Sequence, residues 1–176
     1  MNKFFRACLL LALFISSSFP AHATESDHPE IRRVIESFRT SIIERDKPRF
    51  LSLFLQDNVN WQGVWHDESL ARARLKYPPA MKTRPNSAET HLTFADAFTR
   101  DENHMEETFS NIKIDSDGDV ATVVFDYVFY LNGSETNRGK ECWLMVRTEN
   151  DWKIVSVAYS KILPKPTETP ASGNGA

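Results

Sequence analysis

The chain has 176 residues, 41% of them hydrophobic and 11% aromatic, with a formal net charge of −3. That length and apolar content suit a single domain with its own core, and the acidic balance argues against nucleic acid and anionic lipid, both of which need a basic patch. Residues 1–23 read as a secretory leader: Lys3 and Arg6 are basic, Leu9 to Ile15 are apolar, and Ala21-His22-Ala23 is an A-x-A cleavage pattern. The apolar run is roughly half of the ~20 residues that span a bilayer, and Cys8 precedes it, where a lipidated cysteine would follow. Cleavage before Thr24 removes Lys3, Arg6 and no acid, so the charge passes from −3 to −5. The expectation is a periplasmic or secreted soluble protein with no membrane span and one cysteine, Cys142, which cannot form an internal disulfide.

The domain is expected over 27–163. A helix over 27–46 opens with Asp27 and Glu30 as a capping box and Pro29 in the first turn. Ile31, Val34, Ile35, Phe38 and Ile42 give it an apolar stripe. A shorter helix over 48–55 presents Phe50, Leu51 and Phe54. The stretch 59–65 alternates, with Val59, Trp61, Gly63 and Trp65 on one side. Two further helices fit 67–76 and 86–100, the second capped by Asn86 and Glu89, with Pro78, Pro79 and Pro85 breaking the chain between them. Strands follow over 106–114, 120–131, 138–148 and 152–163, joined by Asp117-Gly118-Asp119, Asn132-Gly133 and Asn150-Asp151. Tight turns between long strands make an antiparallel meander, and helices followed by a meander make an α+β domain. Residues 164–176 lack large apolar side chains and are expected to form a disordered tail.

The order of these segments resembles the nuclear transport factor 2-like superfamily, and within it the SnoaL-like proteins of the ketosteroid-isomerase and polyketide-cyclase kind. The resemblance is carried by Glu44-Arg45-Asp46, by 54–61 ending in Trp61, by Asp117 to Ala121, and most of all by the closing 152–160. It implies a cone-shaped, curved antiparallel sheet packed on N-terminal helices, a pocket at the open end and homodimerisation through the sheet. It does not imply one function. The resemblance puts the isomerase-type general base at Trp61 and the pocket histidines of many relatives at Ser156 and Ala158. None of these three side chains moves a proton near neutral pH.

Asp126 and Glu141 are acids set in apolar strands and are the candidate catalytic groups. Their alternative is to face solvent or to pair with Lys140 or Arg147. Trp61, Trp65, Tyr127, Glu141, Trp143 and Tyr159 are the candidate ligand-binding residues, against ordinary packing in the core or a dimer interface. His66, His91 and His104, with Asp96 and Asp101, lack metal-ligand spacing. Asp115 to Asp119 fails as a calcium loop because Lys113 and Val124 would hold its end positions. Cys142 reads as buried packing, and no phosphate-cradling loop or nucleophile elbow is present, so no cofactor or metal is expected. Three functions remain open: binding of a small apolar or aromatic molecule, an isomerase, cyclase or dehydratase acting on a small hydrophobic substrate, and a dimeric assembly module.

Overall fold

The computed structural model describes residues 28–83, 89–100 and 102–166. The leader, the Asp27 and Asn86 caps and residues 167–176 of the expected tail lie outside them. Helix α1 (Pro29–Ile43) buries Ile31, Val34, Ile35, Phe38 and Ile42, the stripe that its spacing predicts. It stops at Ile43, three residues earlier than expected, because Arg45 turns into the left-handed region (φ 58). Asp46 then caps α2 (Lys47–Ser52) by accepting from Arg49 N at 3.0 Å. That helix also ends early. Leu53 and Leu55 leave it to exchange backbone hydrogen bonds with Ile154 at 2.9 and 3.0 Å, so the partners of the last turn are supplied by a strand.

Strand β1 (Asn60–Trp65) and α3 (Asp67–Lys76) match their expected ranges to within a residue. Helix α4 (His91–Phe98) starts later than expected. Its cap is Thr90, whose hydroxyl accepts from Thr93 N while Thr93 Oγ1 accepts from Thr90 N, a reciprocal pair that fixes the first turn. Strands β2 (Met105–Ser116), β3 (Val120–Leu131), β4 (Ser134–Arg147) and β5 (Trp152–Lys161) form the meander. Strand β4 begins four residues earlier than expected because Asn132 and Gly133 both take positive φ (52 and 76), the two-residue turn that matches strand twist.

The five strands form one curved sheet in the order β1-β5-β4-β3-β2. Neighbours in the meander are antiparallel, and β1 joins β5 in parallel with Trp61 opposite Val157 and Gly63 opposite Tyr159. The fold is α+β. One sheet face packs on the helices: Phe38 of α1 lies 4.9 Å from both Phe50 and Trp143, ring centre to ring centre. The other face carries the exposed Thr122, Lys140, Cys142, Leu144 and Ala158. Cys142 is therefore exposed and not core packing, because Glu141 and Trp143 on either side of it take the inner face. Beyond β5, Arg72 of α3 donates to the carbonyls of Leu163 and Pro164 at 2.9 and 2.7 Å, which ties the chain down to the first residue of the expected tail.

Candidate functional site

A cavity of about 250 Å³ opens between α4 and the inner face of the sheet. Its walls are aromatic: Trp61 from β1, Phe94 from α4, Tyr127 and Phe129 from β3, and Tyr159 from β5. Glu107 of β2 and Glu141 of β4 supply its deepest polar groups, being 5% and 3% exposed. Half-buried Glu89 and Lys161 belong to the lining as well.

Strand alternation aims these side chains. Glu107 pairs with Phe129, Phe125 with Glu141, and Glu141 with Tyr159, so all point to one face. Two glycines make the arrangement possible. At Gly63 a Cβ would stand 2.9 Å from the Tyr159 ring and hydroxyl, so the absent side chain is the space the tyrosine uses. At Gly139 a Cβ would fall 2.0 Å from the Ser160 carbonyl oxygen. That close approach brings the Ser160 carbonyl to Tyr127, whose hydroxyl has two acceptors at 2.8 Å, Ser160 O and Asn137 Oδ1.

The electrostatics centre on the two acids. Trp143 donates its indole N–H to Glu141 at 2.6 Å. Burial pushes the Glu141 carboxyl up from 4.5 to about 7, and the indole bond opposes that rise. Burial raises Glu107 well above the carboxylate range, and the nearby Glu141 charge raises it further. No hydrogen-bond donor or cation among the described residues satisfies Glu107. Burial also raises the Tyr127 and Tyr159 hydroxyls, so both stay protonated at neutral pH. Trp61 Nε1 is buried and has no hydrogen-bond partner of good geometry among the described residues.

Four of the expected site residues, Trp61, Tyr127, Glu141 and Tyr159, meet in this cavity. Trp143 lies beneath it and holds Glu141. Trp65 is not part of the lining; the Lys161 ammonium sits 5.0 Å from its ring centre. Asp126 is no candidate for chemistry there. It points to the outer face, accepts from Lys140 Nζ at 2.6 Å and Asn111 Nδ2 at 2.7 Å, and is held below the usual carboxylate range chiefly by the Lys140 bond. Ser156 and Ala158, the two expected pocket positions on the closing strand, also face out: Ser156 Oγ accepts from Asn60 Nδ2, and Ala158 is exposed opposite Cys142. The pairing skips Val155, since Leu144 meets Ser156 and Met145 meets Ile154. That bulge shifts the phase, and Val157 and Tyr159 face inward instead.

Glu107 and Asn137, with Glu89, Phe94, Phe129 and Lys161, line the cavity and were not among the expected site residues. Glu107 is in phase with Phe109 along its strand, and that parity is the signal that identifies it. Asn137 falls just ahead of the range expected for its strand. Among the described residues, no group of three His, Cys, Asp or Glu side chains could hold a metal ion. His91 is buried against the Phe54 ring at 4.5 Å, with Nδ1 unpaired.

No protein-family model matches the chain, and comparison with curated protein sequences yields no match. Solved structures do match. A nuclear transport factor 2-like protein of Pseudomonas putida superposes with a TM-score of 0.56 at 12% identity, over 80% of this chain and 90% of that one. A Streptomyces avermitilis protein of the same family, provisionally named a dehydratase, gives 0.55 at 16% identity, over 77% and 96%. A Cytophaga hutchinsonii nuclear transport factor 2-like protein gives 0.53 at 15% identity, over 77% and 98%. The chain has the nuclear transport factor 2-like fold.

Proposed function

We propose that this protein is an exported binding domain for a small apolar or aromatic molecule, held in the cavity between α4 and the sheet. The observation that carries this reading is the cavity itself: about 250 Å³, walled by five aromatic rings, with few and fixed polar groups. Its volume lies just below the ~300 Å³ at which pockets for drug-sized ligands begin, which fits a single ring or short chain. Export rests on the leader pattern of residues 1–23, and no helix among the described residues is long and apolar enough to cross a membrane. Native mass spectrometry of freshly purified protein, followed by titration with single-ring fragments, tests the reading. Bound fragments shift the Trp61 indole N–H resonance, and Trp61→Ala weakens them at least fivefold. A Trp61 resonance that stays unmoved while fragments bind elsewhere would defeat it.

A second reading is an acid–base enzyme acting on a small hydrophobic substrate. Glu141 favours it, because a carboxyl that titrates near 7 inside a cavity can take and return a proton at neutral pH. The Streptomyces neighbour is consistent with it through fold alone. Under this reading Glu141→Gln abolishes turnover and leaves fragment binding in place.

We also propose that a second copy of the chain covers the outer sheet face. Val120 and Leu144 are 45% and 41% exposed there, beside the Asp126–Lys140 ion pair. A patch with both charge signs around apolar residues can meet itself across a two-fold axis.

A further inference from the structure

We propose that the cavity selects an organic cation, a small primary amine or related ammonium, over neutral molecules of the same shape. This inference rests on the binding reading above and names the ligand's chemistry. Three observations carry it together.

The first is the charge of the lining. Among the described residues, Glu89, Glu107 and Glu141 contribute three carboxyls and Lys161 one ammonium, which also lies 5.0 Å from the Trp65 ring centre. The second is Glu107. It is 5% exposed, lines the cavity and has no hydrogen-bond or ionic partner among the described residues. A buried acid without a partner costs stability, and a bound cation that pairs with it would recover that cost. Among the described residues Glu141 accepts one hydrogen bond, from the indole N–H of Trp143 to Oε1, and its second oxygen accepts none. The third is the aromatic wall. Trp61, Phe94, Phe129, Tyr127 and Tyr159 present π-systems that attract an ammonium, most strongly where water is excluded. An amine delivers N–H donors and positive charge to two carboxyls and buries its carbon skeleton against the rings. A neutral alcohol or a carboxylic acid supplies no positive charge to take the place of the acids' proton.

The groups that face the acid pair are Tyr127, Tyr159, Glu89 and Lys161. Both tyrosines stay neutral, so the proton affected by binding belongs to the carboxyls. The acids hold that proton because burial disfavours their charge. When an ammonium arrives it replaces the proton as counter-charge, and the proton leaves to buffer.

Calorimetric titration of the whole chain with matched pairs tests this: benzylamine against benzyl alcohol, cyclohexylamine against cyclohexanol, and butylamine against butanol. We expect each amine to bind at least tenfold more tightly than its alcohol. At neutral pH the measured enthalpy should change with the buffer's ionisation enthalpy, reporting proton release. Glu107→Gln should cut the amine preference below threefold, with a cooperative melting transition at or above that of the wild type showing that the variant folds. If that variant unfolds, Glu141→Gln and the wild-type pairs still decide the question. Alcohols that bind as tightly as amines overturn the cation inference and leave the binding reading standing. Binding by no member of any pair overturns both.

Discussion

Among the described residues Glu141 is held by the Trp143 indole hydrogen bond and by no ion pair, and burial therefore governs its effect on stability. In the unfolded chain it loses its proton near 4.5, and in the fold near 7. Between these values the folded state binds more protons than the unfolded one, so stability falls as pH rises through the window and levels off above it. Glu107 shifts in the same direction and prolongs the fall. His91 acts oppositely. Burial lowers its pKa, so the fold loses stability as pH drops below the ordinary histidine value of 6.5. A variant separates the two effects. Glu141→Gln should melt higher than the wild type at pH 8, by at most roughly 3 kcal/mol at ~1.4 kcal/mol per pKa unit. At pH 4, below both values, the carboxyl is mostly neutral in either state and the two should melt nearly alike. An equal difference at both pH values in a thermal melt would contradict the burial of an ionising carboxyl at this position.

At the level of elements, the closing strand shows what the sequence could and could not reveal. Turn residues at both ends located β3 to the residue, alternation located β1 closely and helical spacing α1, because the last two each bury one face against a partner. Trp61, Tyr127 and Tyr159 were legible as aromatic side chains set in the strands. The bulge at Val155 was not, since nothing in Trp152 to Lys161 departs from an unbroken strand. It arises where β5 must meet β4 while Phe54 bridges to Ile154 on its other side. One skipped residue moved Ser156 and Ala158 out of the site and brought Tyr159 into it. Glu107 escaped for a related reason: a charged residue near a strand end reads as solvent-facing until a neighbouring strand and α4 cover it. The two glycines beside β5 allow a direct check. Gly139→Ala drives a Cβ into the Ser160 backbone and should cost about 3 kcal/mol, because strand must move from strand. Gly63→Ala meets only the end of the Tyr159 side chain, which can swing aside. It should cost about 1 kcal/mol and change fragment affinity more than stability. The two ranked by chemical denaturation in the reverse order would refute this account of how Tyr159 and Tyr127 are placed.

For the whole molecule, the sheet divides the chemistry between its faces. The inner face holds the core and cavity, and the outer face carries Val120, Thr122, Lys140, Cys142, Leu144 and Ala158 in the open. A solvated antiparallel sheet ordinarily alternates to polar residues on its free side. Here Val124, Val128 and Val146 take outward positions between the exposed ones, so the face is more apolar than solvent alone would select. A second copy placed across a two-fold axis would bury Leu144 and Val120 and set each Asp126–Lys140 pair near its twin, where opposite charges can exchange partners. The cavity opens on the far side of the sheet and would stay accessible in such a dimer. The wild type should therefore scatter light as a dimer at tens of micromolar. Leu144→Glu, which puts a charge at the middle of the face, should give a monomer with the same circular dichroism and the same fragment affinity. A wild type that remains monomeric at high micromolar concentration would leave the outward valines without a partner of their own kind.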